Sequence, residues 1–402
     1  MREAGALSEK EQTTMDFLLP LDVQDDRKRF SRFLELHVKP NLHQWYREEA
    51  VPRSLIERMG REEWLGFSLN GGGIEEHGAL KQALRSEELA KLSPGVAVVV
   101  LVQVSLGAKG VWLFGSENQK RALLEPAARG ELLICLGNTE PTAGSDVANI
   151  ATRAEKVEGG WLLNGTKAYS TNAAMSDIAL ITAVSDPDAP RNRRLSMFVV
   201  DLSAEGVKRK KLNKKVWIPS DLTRIQMDNV LVPDDGLVGE RGRGLQQVLE
   251  IFTNSRLPIS AMTLGNAVGA FELGLDHARK RKAFGNSILD FQSKSFEAAD
   301  LYSRIEAARL MVYKACWARD QGLDFQLEAS MAKYLTVQIA REVSTWAADL
   351  FGAASVVQEH PVHKFPMDAW ASSLGEGTQD IQKLIIFRGL MRKLAASEPS
   401  RA

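Results

Sequence analysis

A chain of 402 residues, 44% apolar and 25% charged, is too long for one simple core and has the composition of an ordinary globular protein of two or three domains. Lys plus Arg equals Asp plus Glu at 51 each, so no global field draws it to nucleic acid or to an anionic membrane, and partners must be recognised locally. Cys135 and Cys316 match no redox or metal spacing and the six histidines match none either, which excludes a zinc or disulfide scaffold and suggests a reducing compartment.

The start, MREAGALSEKEQTT, lacks the apolar centre of a secretory signal, and no apolar run reads as long enough to cross a bilayer. A cytoplasmic protein without stable membrane association is expected. From Asp22 to Gly130 apolar residues recur at three and four, as in Phe30, Phe33, Leu34 and His37 and again in Leu55, Met59, Trp64 and Leu65. Turn signals at Pro52, Asn70-Gly71-Gly72-Gly73 and Ser93-Pro94-Gly95 divide this stretch into several helices, an all-α domain over residues 1–130. Val96 to Leu106 is nearly all apolar, either a core helix or the wall of a pocket for an apolar ligand.

Near Leu132 the period changes. Strands are expected at Leu132–Leu136, Gly160–Asn164, Ile178–Ala183, Met197–Asp201 and Arg224–Leu231, separated by Gly, Asn, Asp and Pro clusters, giving an antiparallel β domain over 131–243. The basic run Lys208-Arg209-Lys210-Lys211 reads as a solvated face of it. After Gly244 long amphipathic helices return at Leu245–Lys280, Phe291–Gln321, Phe325–Phe351 and Gln379–Leu394, with short connections. They predict a four-helix bundle over 244–402, and the fold class is α+β: helical domain, β domain, helical bundle.

Four polar clusters stand out. Asn138-Thr139-Glu140-Pro141-Thr142-Ala143-Gly144-Ser145-Asp146 gathers hydroxyls and small residues on one loop, suited to the polar edge of a flat heterocycle or a phosphate, or merely to a surface turn. Asn164-Gly165-Thr166-Lys167-Ala168-Tyr169-Ser170-Thr171-Asn172 follows a strand and a tight turn and sets an aromatic plane beside hydroxyls. Arg279-Lys280-Arg281-Lys282-Ala283-Phe284-Gly285 ends a helix, where cations complement the dipole and Arg281 also suits a pyrophosphate; Asp290-Phe291-Gln292 opens the next. Last, Glu376 lies between Gly375 and Gly377, which keep side-chain bulk away from the acid, with Thr378 and Asp380 suiting a helix start.

In this order, on this alternation of helical and β segments, the four clusters resemble the acyl-CoA dehydrogenase family over nearly the whole chain: TEPTAGSD, NGTKAYSTNA, RKAFG with DFQ, and GEGTQDIQ correspond to its motifs. The resemblance implies an FAD enzyme, usually a homotetramer, that takes two hydrogens from the α and β carbons of an acyl thioester and passes electrons to an electron-transfer flavoprotein. It implies that Leu136, Asn138, Thr139, Gly144 and Ser145 lie along the flavin and its phosphates, and that Tyr169 and Thr171 stand against its other contacts. Arg281, Phe284 and Gln292 reach the FAD of a neighbouring subunit, with Gly352 in the adenosine-contact segment, while Thr378 and Gln379 close the site. Glu376 becomes the base for the α proton, with Ser145, Arg256, Gly375 and Gly377 near the substrate. Ser255 stands where the family's alternative base would be, which leaves Glu376 as the candidate.

Some positions depart from the family pattern. Tyr169 replaces a Trp, Asp349-Leu350-Phe351-Gly352-Ala353 replaces the adenosine-contact motif, and Thr253 stands where an acid often meets pantetheine. Gly375 replaces a residue that is often aromatic in straight-chain enzymes, so a branched or bulky acyl group is expected. Val312 to Gly322 also looks like the branch that acts on acyl groups held by carrier proteins in secondary metabolism. CoA and acyl-carrier protein present the same pantetheine arm, and both stay open. An oxygen-using flavin oxidase or monooxygenase is the remaining alternative on this fold. No metal is expected.

Overall fold

The computed structural model describes residues 19–70 and 73–397; the amino-terminal stretch read above for a secretory signal, and Gly71 and Gly72 of the glycine turn, lie outside the described residues. The helical period of the first third folds as α1 (Leu21–His37), α2 (Leu42–Glu48) and α3 (Arg53–Arg61). Phe30, Phe33 and Leu34 share the buried face of α1, where the Phe30 and Trp64 rings meet at 5.2 Å. An all-helical reading misses one element: Phe67–Asn70 (β1) and Gly73–Glu76 (β2) pair antiparallel. Arms of four residues are too short to show a period, and this hairpin is fastened instead by Glu76, which takes ion pairs from Lys109 and Arg319.

After α4 (Ala79–Leu92) the apolar stretch forms one continuous helical run: α5 (Pro94–Leu101), a π-helical segment Val102–Ala108, and α6 (Lys109–Phe114). The Ser93 hydroxyl accepts from Val96 N at 3.3 Å, and Pro94 occupies the first turn, so the start is well specified. Contrary to the sequence expectation, Pro94–Phe114 is long and apolar enough to cross a membrane; 78% of its most apolar window is nonetheless buried inside the protein, which makes it a core helix. One polar residue in its middle serves the fold: Gln103 accepts from Ile134 N at 2.7 Å and donates to Leu132 O at 2.9 Å, pinning the start of the next strand. Short helices α7 (Glu117–Gln119) and α8 (Glu125–Ala128) end this third.

Eight strands follow: β3 (Ile134–Gly137), β4 (Arg153–Val157), β5 (Gly160–Thr171), β6 (Ile178–Val184), β7 (Leu195–Asp201), β8 (Val207–Lys211), β9 (Leu222–Pro233) and β10 (Leu237–Val238). They run β10-β7-β6-β4-β5-β9-β8 with β3 beside β6. The sheet is antiparallel except where β3 and β4 meet β6. The β4–β5 hairpin intervenes in sequence between β3 and β6 and supplies the long crossover that parallel neighbours require. β8 is an edge strand whose Lys208–Lys211 side chains are exposed, and charge there blunts edge pairing. β5 is longer than expected: it continues through the second polar cluster, with register shifts against β9 at Leu163/Gly165 and Lys167/Ser170.

The last third contains α9 (Gly244–Lys280), the small hairpin β11 (Lys282–Ala283) and β12 (Asn286–Ser287), α10 (Gln292–Asp320), α11 (Gln326–Phe351), α12 (Lys364–Ala371) and α13 (Gln379–Ser397). α9 is the spine, packed against α4, α5, α10, α11 and α12. One apolar core joins the first third to the sheet, and a second fills the bundle together with α4.

Candidate active site

Between α12 and α13 the chain turns with Glu376 at φ 50° and Gly377 at φ 94°. A non-glycine residue there costs about 1–3 kcal/mol and persists only where its surroundings hold it. Here they do. Lys333 of α11, fully buried, donates to the Gly375 carbonyl and, at 2.6 Å, to the Gly377 carbonyl. Arg256 of α9 donates from Nε to Glu376 O at 3.3 Å, and Gln382 of α13 donates from Nε2 to Glu376 O at 3.1 Å and Gly377 O at 2.9 Å. The three carbonyls of the turn are all held, yet among the described residues no hydrogen bond reaches the Glu376 carboxylate. Burial pushes that carboxyl above the usual carboxylate range, and the Lys333 and Arg256 cations pull part of the shift back. The same burial brings Lys333 down to about 8 and lowers Arg256. A desolvated carboxylate without a tight partner is a strong base for its type.

The two flanking glycines do different work. A Cβ at Gly377 would meet Gln382 Nε2 at 2.9 Å and Ile381 Cγ2 at 3.0 Å, whereas one at Gly375 would meet nothing within 4 Å. Gly375 therefore leaves open space beside the acid.

The first and second polar clusters, around Glu140 and Lys167, are bound together by a buried ion pair. Lys167 Nζ donates to Glu140 Oε1 at 2.7 Å and to Asn138 O at 3.1 Å, and Glu140 also accepts from Ala151 N at 2.6 Å and Thr152 N at 2.9 Å. Ala168 N donates to Thr139 O at 2.8 Å, and Thr182 Oγ1 to Asn138 Oδ1 at 2.7 Å. Glu140 is thus committed to holding the loop. Leu136 is buried in β3, Thr139 is half-buried, and Gly144 and Ser145 are exposed on the loop's outer edge. Tyr169 sits in the second register shift of β5 with φ 59° and is 59% exposed, next to the half-buried Thr171. Asn172 Nδ2 then ties the strand's end to Val99 O at 2.7 Å, bringing the apolar helix alongside both clusters.

The third cluster, around Arg281, is elsewhere. From Arg256 to the end of α9 the helix runs about 36 Å. Arg281 follows that end, and Phe284 and Gly285, at φ 52° and 87°, form the two-residue turn of the β11–β12 hairpin; Arg281, Phe284 and Gln292 are all exposed. Arg281 joins His277, Phe351 and His360 around a cleft of about 400 Å³ in which the His277 ring stacks on Phe351 at 3.9 Å. Gly352, at φ 58°, comes directly after Phe351 and has open space where a Cβ would stand. Glu376 therefore lies against Arg256 within α9 while Arg281, Phe284 and Gln292 lie beyond its end, and within one chain these two groups do not converge.

Sequence reading missed Lys333 and Gln382. The available signal was a cation on the buried period of α11, among Ala329, Ala332, Thr336 and Val337. Orphaned polar atoms test whether a further group belongs here. Both side-chain polar atoms of Gln379, together with Ser170 Oγ and Trp217 Nε1, are buried without a partner among the described residues. Buried polar groups are seldom left unpaired, so these fit a ligand with a polar edge.

Three family models match along the chain. The domain families described as acyl-CoA dehydrogenase N-terminal, middle and C-terminal domain match residues 22–131, 135–230 and 242–391. The chain is 31% identical over 381 residues to the short-chain-specific acyl-CoA dehydrogenase of Clostridium acetobutylicum, covering 94% of this chain and 100% of that one. It is 31% identical over 346 residues to subunit CarC of the caffeyl-CoA reductase–Etf complex of Acetobacterium woodii, covering 85% and 90%. The structure of PigA with FAD and proline superposes with a TM-score of 0.89 at 29% identity, covering 94% and 100%.

Proposed function

The chain belongs to the acyl-CoA dehydrogenase family, and from that membership we propose that it desaturates an acyl-CoA between the α and β carbons, with Glu376 as the base. It is an FAD-dependent oxidoreductase acting on CH–CH bonds, in keeping with a structural relative that holds FAD and with the unpartnered Gln379 and Ser170 side chains. The observation that carries the role of Glu376 is its carboxyl, raised by burial and unbonded, on a turn whose every carbonyl is held.

The mechanism asks three things of this chain. An α proton of a thioester is too weakly acidic for a carboxylate in water, so the base must be desolvated, and the thioester carbonyl must be polarised as charge develops. Glu376, half-buried on its turn with its carboxyl raised by desolvation, goes part of the way to the first need. Its own backbone N–H, which donates to no described partner, is the donor placed to meet the second. FAD, when bound, supplies the acceptor for the β hydride. Leu136, Asn138, Thr139, Gly144, Ser145, Tyr169, Thr171, Thr378 and Gln379 are proposed to hold it, with Arg281, Phe284, Gln292 and Gly352 reaching it from a second copy. Gly375, with open space at its side, supports a branched or bulky acyl group near Ser145, Arg256 and Gly377.

A homotetramer is supported by large apolar side chains left exposed on two helices of the bundle, Phe296, Tyr302 and Leu310 on α10 and Leu384, Phe387 and Leu390 on α13. An electron-transfer flavoprotein is the proposed acceptor, in line with the CarC relative. Two buried free thiols suit the reducing environment of the cytoplasm, the proposed location.

The test is anaerobic mixing of the purified protein with straight, branched and cyclic acyl-CoAs, and with the same acyl groups on a carrier protein, while following the oxidised flavin band. Bleaching by a branched or cyclic acyl-CoA, lost in Glu376→Gln with FAD still bound, is expected. Bleaching only by the carrier-bound acyl groups moves the assignment to the carrier protein. Flavin that bleaches with none of them removes the dehydrogenase reading.

A further inference from the structure

Among the groups that hold the Glu376 turn, Lys333 is more than hydrogen bonding requires. It lies in the core of α11 with no exposed surface, and both of its described side-chain contacts are backbone carbonyls, those of Gly375 and Gly377. Burying an ammonium is costly unless it is paired, and a neutral amide can do the same bonding: Gln382 already donates to the Gly377 carbonyl. The charged groups that face Lys333 form a closed set drawn from each neighbouring element. Glu376 comes from the turn and Arg256 from α9, while α13 offers the neutral Gln382 and α11 itself the Thr336 hydroxyl, which donates to the Lys333 carbonyl at 3.2 Å. Arg256 is already spent on Glu376 O and on the Thr253 hydroxyl.

We infer that Lys333 is the positioning residue for Glu376: by gripping the carbonyls on both sides it fixes the left-handed turn that presents the carboxyl. The inference rests on Glu376 being the base. Lys333 acts on the reaction only through Glu376, since both groups it is bonded to are carbonyls of that turn. Its removal therefore has two separable effects. Losing the grip lets the turn relax, which lowers turnover, and losing the charge leaves desolvation of Glu376 opposed by Arg256 alone, which moves its ionisation to higher pH.

The experiment uses the FAD-loaded full chain and compares pH profiles of kcat/KM for the wild type, Lys333→Met and Lys333→Gln, with Glu376→Gln as reference. Lys333→Met is expected to lower kcat by about 100-fold with the flavin band intact, as small misplacements of a catalytic group do. Lys333→Gln restores a donor without a charge, so it is expected to recover part of kcat. In both variants the acid limb moves up by about one pH unit because the opposing cation is gone. Flavin-loaded variants that keep the wild-type limb overturn the inference, since a merely structural lysine would cost melting temperature or flavin and nothing else. Where neither variant folds, the wild type decides: a decline of kcat/KM above about pH 8, where Lys333 discharges, supports the assignment. A flat profile from about pH 7 to about pH 10 overturns it. An active Glu376→Gln enzyme removes the base itself; an inactive one beside unshifted Lys333 variants removes only the role of Lys333.

Discussion

The turn held against Arg256 and the turn beyond the Lys280 end of α9 carry comparable backbone strain and support it in opposite ways. Near Arg256, Glu376 is left-handed and its turn is gripped by donors from three helices of the same chain. Beyond Lys280, Phe284 is equally left-handed, but its side chain is 96% exposed and its ring neighbour, Phe291, is 6.5 Å away edge-on. Strain is kept only where something over-determines it. At the first end that something is the chain itself. At the second it is lacking within one chain, which is the form expected of a half-site completed by another copy.

The largest expected effect falls on the self-contained end. Glu376→Gln should lower kcat/KM by about 10²- to 10⁴-fold, the usual contribution of a general base, with FAD retained. The sign of its pH dependence follows from the raised carboxyl. Glu376 acts ionised, so kcat/KM of the wild type should be lost as pH falls through a value above the ordinary 4.5. The folded state favours the protonated acid, so stability contributed by Glu376 is present at low pH and is lost as pH rises through the raised value. Glu376→Gln should therefore melt no lower than the wild type above that limb, and calorimetry at two pH values checks it. A variant that melts well below the wild type would mean that the ionised carboxylate stabilises this turn, and the contrast with the open end would weaken.

At the open end the expected pattern is the reverse. Arg281→Gln removes an exposed side chain, so the melting temperature of flavin-free protein should hold to within about 0.5 kcal/mol of stability. FAD affinity, however, should drop by about 10- to 100-fold, the worth of one charge-assisted hydrogen bond. Titration of apoprotein with FAD measures this. Unchanged affinity would show that the cleft of Arg281, His277 and Phe351 serves something other than the cofactor.

The difference between the ends also explains what the sequence could disclose. The four long helices were legible because each carries a full amphipathic period, and their bounds in the structure lie within three residues of the expected ones. The β1–β2 hairpin was not, because four-residue arms hold no period. Parallel pairing of β3 with β6 was hidden as well, since register and direction follow from a crossover rather than from composition. Among the site residues, Glu376 announced itself by its two glycines. Lys333 and Gln382 did not, for their work is on backbone carbonyls, and a carbonyl leaves no mark in a sequence. Glu140 illustrates the converse: an acid in a conspicuous motif that the structure commits to Lys167 and two backbone amides.

The smallest expected effect is at Phe284. Asn is favoured at the first position of a two-residue hairpin turn with both residues left-handed, and Phe is not. Phe284→Asn should relieve backbone strain and raise the stability of the isolated chain by about 1 kcal/mol. Opposed to this is the apolar area that Phe284 offers to a second copy, worth about 1.5–3 kcal/mol if fully covered. One substitution then moves two observables in opposite directions: denaturant midpoints of dilute protein rise, while the assembly seen by sedimentation dissociates at higher protein concentration than the wild type. Both movements together are what a strained turn maintained for a partner requires. A variant that melts higher and stays associated to the same dilution would take Phe284 out of the contact, and the incompleteness of that end would then rest on Arg281 and Gln292 alone.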